Sequence, residues 1–268
     1  MRKSQKKRVR RVKLSRLTRI SFLPSVFTTF NLFLGYTALL HILKDNYITA
    51  IYLVTLSVVM DGFDGTIARL TKTESNFGMQ LDSLVDAVSF GLVTSIFIFK
   101  WGFHLFHPQL GKVAGFIFLS AGVIRLARFN VYKEVKAYPA NIFIGLPIPL
   151  AALSVLSVGL LFPGQPKQEW ETLAFAAYCI IVGVLMISNV KYRTMKRIDP
   201  RYSLLVLFIL ACVVALTILY PTTTIPLITG FYLTSPIFFM IFGKFKKSKK
   251  TPGMEAGDHV PQNNRVDG

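Results

Sequence analysis

Apolar runs of the length a bilayer demands recur along this chain. A helix crossing the hydrocarbon core needs about 20 mostly apolar residues. Eight such runs occupy 26–43, 46–68, 80–100, 111–130, 142–162, 172–190, 203–219 and 224–243. The pattern predicts an all-α polytopic membrane helix bundle of about eight transmembrane helices with short connections. Between the last two runs, Pro221, Thr222, Thr223 and Thr224 leave room only for a tight turn. Polar material collects at the ends. Residues 1–22 form a basic segment in which Val12, Leu14, Leu17, Ile20 and the following Leu23 alternate with cations. That is the pattern of a short interfacial helix on anionic headgroups. Residues 23–243 read as one transmembrane domain, and 244–268 as a basic, polar, disordered tail. The first run follows a basic segment but is long and has no A-x-A site after it, so it reads as an uncleaved span.

Composition sharpens this picture. The chain is 52% hydrophobic and only 16% charged, with mean hydropathy +0.50. A soluble domain carries about 25% charged residues, so soluble and disordered classes are both excluded. The net charge of +18 would suggest a nucleic-acid partner if it were spread over the body. It is not: residues 2–19 hold ten Lys/Arg and no acid, and residues 244–268 hold six against three acids. With eight spans, 27 of the 31 Lys/Arg fall on one side of the membrane, and only Lys44, Lys100, Lys112 and Lys167 on the other. Positive charge marks the cytoplasmic side. Both termini are therefore expected there, in a plasma (inner) membrane protein with no nucleic-acid partner. Cys179 and Cys212 sit inside apolar runs without ligand spacing and read as inert buried thiols.

The acids are where a passive membrane protein would not put them. Asp61, Asp64, Asp82 and Asp86 lie inside the second and third runs. Each charge at a helix centre costs about 2.5–3.5 kcal/mol on insertion scales. Asp61, Asp64, Gly65, Ala68 and Arg69 share one helical face, as do Gly78, Asp82 and Asp86. In an antiparallel hairpin, residues at equal depth have position numbers of constant sum. Asp61 with Asp86, Gly65 with Asp82, and Arg69 with Gly78 satisfy one such sum. The four carboxylates should converge two to three turns below the cytoplasmic surface. Such a cluster is tolerable only if protonated or filled by cations, and an all-oxygen donor set suits Mg²⁺, Mn²⁺ or Ca²⁺. Two ions would clamp a phosphoryl centre. Gly65 and Gly78 leave room for a ligand, and Arg69 offers a forked donor to phosphate. A polar helix interface or an ion-coupled transporter would also explain acids, but not the glycines and Arg69 in register.

The run Asp61-x2-Asp64-Gly65-x2-Ala68-Arg69-x8-Gly78-x3-Asp82-x3-Asp86 resembles the signature of the CDP-alcohol phosphatidyltransferase family. Three more stretches resemble its phosphatidylserine synthase branch: Asp82 through Gly91, Arg125 through Asn130, and Phe143 through Pro149. The family often has Pro-Asn at the start of the first span. Here it is Pro24-Ser25, with Thr28 and Asn31 retained. The resemblance implies transfer of the phosphatidyl group from CDP-diacylglycerol to L-serine, giving phosphatidylserine and CMP. It implies two Mg²⁺ or Mn²⁺ ions on Asp61, Asp64, Asp82 and Asp86, with Asp86 also the general base. Gly65, Ala68, Arg69 and Gly78 would line the CDP site. Arg125, Arg128 and Asn130 are candidates for the serine carboxylate or a lipid phosphate, with a positive-inside anchor the plainer reading of the arginines and a helix end that of Asn130; Pro147 and Pro149 would either kink the fifth span near its entry, opening the cavity, or simply start its helix. Another alcohol, such as glycerol phosphate or an inositol derivative, would use the same chemistry. Two copies could pair, but no dimer face is legible.

Overall fold

The structure, a computed structural model, describes residues 22–70, 76–103, 105–135, 142–162, 164–193, 215–217 and 219–247. Most of the expected interfacial helix at 12–23 and most of the seventh run, at 203–219, lie outside the described residues. So does the tail beyond Lys247.

The described chain is helical apart from one short ribbon. Helix α1 is Phe22–Leu43 and α2 is Tyr47–Leu70. The third run is broken into α3 (Asn76–Asp86), a π-helical segment (Ala87–Leu92), α4 (Val93–Phe97) and a second π-helical segment (Ile98–Phe103). Then come α5 (Pro108–Val135), β1 (Ile142–Ile144), α6 (Ile148–Leu156), α7 (Val158–Leu161), α8 (Glu169–Ile187), β2 (Lys191–Arg193) and α9 (Pro221–Lys247). Among the described residues, four helical stretches are long and apolar enough to cross a membrane: Val26–Leu43, Phe77–Phe103, Pro108–Tyr132 and Glu169–Ile187. Tyr47–Phe63 and Ile148–Leu161 are shorter apolar helices.

Polarity is arranged as lipid solvent requires. Phe33, Phe116, Ile181 and Phe231 are turned outward from the middle of their helices. The third run lies at the centre. Phe90, Val93, Phe97, Ile98 and Phe103 have no exposed surface, and they pack with Ile51, Phe118, Ile148 and Leu156. Small residues let the helices approach, as membrane packing favours. A Cβ at Gly115 of α5 would stand 2.8 Å from the Ser95 carbonyl oxygen, and one at Gly35 of α1 would stand 2.5 Å from Ser89 Oγ.

Two expectations need correcting. The fifth run does not begin as a helix at 142. Residues 142–144 form β1, paired antiparallel to β2 with Ile142 opposite Arg193 and Ile144 opposite Lys191. Gly145 follows at φ 77°, Pro147 caps the helix and Pro149 stands in its first turn. A positive φ turns the chain there, and a proline ring suits only a helix start. The prolines therefore start α6 rather than kink a longer helix. The second correction is the last connection: Pro221 through Thr224 is already the first turn of α9, with Thr224 Oγ1 donating to Tyr220 O at 2.8 Å. At its other end α9 runs past Gly243 to Lys247, into the residues expected to be tail.

The two ends of the bundle are tied differently. At one, Asp45 pairs with Lys100 at 3.0 Å and accepts from Tyr47 Oη at 2.7 Å, while Gln165 Nε2 donates to Tyr47 Oη at 2.9 Å. His107 and Glu169 meet nearby at 2.6 Å, outside any site. At the other end, the ribbon docks on the close of α8: Gly145 N–H donates to Val190 O at 2.9 Å and Leu146 N–H to Leu185 O at 3.1 Å.

Candidate functional site

Three carboxylates meet between α2 and α3. One oxygen from each of Asp61, Asp82 and Asp86 lies within 4.8 Å of the other two. The cause is the spacing. Asp82 and Asp86 are one turn apart on α3, and the antiparallel α2 brings Asp61 to their level. Asp86 is buried at 7% exposure, whereas Asp61 and Asp82 are half-buried. The cluster thus opens towards its rim and closes at Asp86. Oxygens bound to one Mg²⁺ or Mn²⁺ at about 2.1 Å stand at most about 4 Å apart, and those on Ca²⁺ about 5 Å. The three carboxylates fit a divalent ion with little adjustment. Asp64, Gly65, Ala68 and Arg69 continue the same face of α2, and their side chains lie outside the described residues. Gly78 stands two turns before Asp86 on α3, half-buried.

Beside the carboxylates is a buried cation. Arg125 of α5 is 7% exposed, and its charge interacts with Asp86 and with Tyr232 of α9. Its Nε finds no hydrogen-bond partner among the described residues. A buried guanidinium with a spare donor is a ready anion site. Arg128, one turn on, is placed otherwise. It donates through Nη1 to Ile187 O at 2.9 Å, through Nη2 to Asn189 Oδ1, and through Nε to Tyr132 Oη at 3.2 Å. Arg128 therefore ties α5 to the end of α8. Asn130 does not end a helix, because α5 continues to Val135. Its Nδ2 donates to Ser83 Oγ at 2.9 Å, and Ser83 Oγ in turn lies 3.2 Å from Asn130 Oδ1. Ser83 is the neighbour of Asp82, so Asn130 braces α3 beside the cluster.

Sequence reasoning missed a second polar group. Asn31, Ser57 and Ser89 are all buried, at 1%, 0% and 0% exposure. Ser57 Oγ donates to Asn31 Oδ1, and Ser89 Oγ approaches Asn31 O at 3.4 Å. The signal was present: Ser57 and Ser89 fall near the same constant sum as the carboxylates. A cavity of about 460 Å³ lined by Trp101, Phe162, Lys167, Trp170 and Phe175 opens at the opposite end of the bundle and shares no residue with the cluster.

A model of the CDP-alcohol phosphatidyltransferase family matches residues 21–188. The chain is 33% identical over 231 residues to a CDP-diacylglycerol--serine O-phosphatidyltransferase of Helicobacter pylori, a match covering 84% of this chain and 95% of the relative. It is 37% identical over 156 residues to a protein of the same description from Methanocaldococcus jannaschii, covering 58% of this chain and 67% of that one. An archaetidylserine synthase of Methanothermobacter thermautotrophicus is 31% identical over 179 residues, covering 66% of this chain and 72% of the relative.

Proposed function

The chain belongs to the CDP-alcohol phosphatidyltransferase family, and on that premise we propose that it transfers the phosphatidyl group of CDP-diacylglycerol to L-serine, releasing CMP. The observation that carries this reading is the meeting of Asp61, Asp82 and Asp86 at one point between two antiparallel helices. Serine as the acceptor is supported by the relatives, whose names share serine while the lipid differs.

Asp61, Asp64, Asp82 and Asp86 would hold two divalent ions, Mg²⁺ or Mn²⁺. When bound, these supply positive charge to the pyrophosphate and to the departing CMP. The protein's own groups do the rest. Arg69 offers its fork to a phosphate oxygen, and Gly65, Ala68 and Gly78 leave the helix faces open to the nucleotide. Asp86 accepts the proton of the serine hydroxyl as that oxygen bonds to the lipid-proximal phosphorus. The bond from phosphorus to the CMP oxygen breaks, and CMP leaves with the electron pair. None of the motif's fixed residues is a Ser, Cys or His, which favours direct displacement. Arg125 receives the serine carboxylate. Only two carbons separate that carboxylate from the hydroxyl oxygen, which suits a buried cation close enough for the charge of Asp86 to act on it. Arg128 and Asn130, already engaged with the protein, hold the frame.

Eight spans, with both termini and the site facing the cytoplasm of the plasma membrane, suit this substrate. The donor keeps its acyl chains in the bilayer and its nucleotide in water, which asks for a site just below one surface. CMP release from CDP-diacylglycerol, measured with purified protein, Mn²⁺ and a panel of alcohols, tests the reading. Release with serine alone, abolished by excess chelator, is expected. Release with glycerol phosphate or an inositol derivative instead would move the acceptor, and release unchanged by chelator would overturn the site.

A further inference from the structure

Helix α1 contributes no acid to the cluster, yet its buried Asn31 touches α2 through its side chain and the π-helical segment after α3 through its main-chain oxygen. Asn31 is 1% exposed. Its side-chain oxygen accepts from Ser57 Oγ on α2, and its main-chain oxygen lies 3.4 Å from both Ser57 Oγ and Ser89 Oγ. Ser57 precedes Asp61 by one turn, and Ser89 comes about one turn after Asp86. Because the two helices run in opposite directions, both serines lie one turn deeper in the membrane than the carboxylates. The contact is close: Gly35, one turn from Asn31, leaves space for Ser89, whose Cα would be 2.8 Å from a Cβ there. Ser89 also sits within the π-helical segment Ala87–Leu92, which begins where Asp86 ends α3. A π-helical turn rotates the helix on its N-terminal side against the helix on its C-terminal side. The angle at which Asp86 faces Asp61 therefore depends on how that segment is held.

We infer that Asn31 is a positioning residue for the metal site, fixing the rotation of α2 against the π-helical segment so that Asp61 and Asp86 meet. This rests on the reading of the carboxylates as metal ligands. In hydrocarbon the serine hydroxyls have no water to turn to, so the knot has few competing arrangements. Groups that orient metal ligands from behind change metal affinity by about 10–100-fold when removed. A residue that merely glued helices together would be replaceable by an apolar one of similar volume.

Asn31→Leu keeps the volume and removes the side-chain bond to Ser57, leaving the main-chain oxygen in place. Its Mn²⁺ affinity, read by electron paramagnetic resonance on purified protein, should fall about 10-fold. The Mn²⁺ needed for half-maximal CMP release should rise in parallel, with the serine KM unchanged, while the lost buried bond lowers the thermal midpoint modestly. Ser57→Ala and Ser89→Ala each remove one donor and should shift Mn²⁺ affinity in the same direction by less; they decide the matter if Asn31→Leu does not fold. Wild-type Mn²⁺ affinity in Asn31→Leu, or in both serine variants where it does not fold, overturns the inference. Wild-type protein that binds no Mn²⁺, or an Asp82→Asn variant that binds it as tightly, would instead overturn the metal-site reading beneath it.

Discussion

At the scale of single residues, the two arginines of α5 make different predictions from nearly the same sequence position. Arg125 is buried within reach of the charge of Asp86, and its Nε has no hydrogen-bond partner among the described residues. Hydrogen bonds to charged groups are worth about 1.5–3 kcal/mol. Arg125→Gln should therefore raise the serine KM by about 10–100-fold while CDP binding is kept. Arg128 holds Ile187 and Asn189, so Arg128→Gln should lower the thermal midpoint and leave the serine KM near its wild-type value. Steady-state kinetics beside a melting curve separates them, and equal effects would refute the assignment. Asp86→Asn should lower kcat by at least about 10²–10⁴-fold, the usual range for a general base, with nucleotide binding surviving in part. Full activity in that variant removes the base. The sequence ranked Arg125 and Arg128 alike because the spacing puts both on one stretch of one helix; only the partner at the end of α8, far along the chain, tells them apart.

At the scale of elements, the hairpin of α2 and α3 was legible and its surroundings were not. Constant-sum pairing rests on rise per residue alone, so it brought Asp61 to Asp82 and Asp86 correctly. Hydropathy windows do not register the hydrogen-bond ladder, and the two π-helical segments in the third run stayed hidden. They also do not register backbone angle, so Gly145 at φ 77° and the ribbon before it were read as helix. Asn31 was visible only as a residue shared with a family, because its partners Ser57 and Ser89 lie on other helices. Close approach makes a sharp prediction here. Gly35→Val would drive a side chain to within 2.5 Å of Ser89 Oγ. Overpacking costs typically about 1–3 kcal/mol, so the thermal midpoint should fall. A variant as stable as wild type would mean that α1 does not press on the π-helical segment.

At the scale of the whole molecule, charge and chemistry agree about direction. The carboxylates lie towards the end of α2 and the start of the third run, the end that the proposed orientation turns to the cytoplasm. The opposite end is closed by Asp45, Lys100, Tyr47 and Gln165. In a protein stripped of Cys179 and Cys212, a cysteine at exposed Lys112 should react with an impermeant maleimide on intact cells, and one at Gly268 only after permeabilisation. The reverse pattern would invert the bundle and put the site on the wrong side for its nucleotide. The account stands or falls on what the carboxylates hold. Anomalous scattering from crystals of the protein with Mn²⁺ and a cytidine nucleotide measures this directly. Manganese peaks between Asp61, Asp82 and Asp86, against the nucleotide's phosphates, are the expected result; manganese bound elsewhere, with those three side chains turned away from it, would contradict the account.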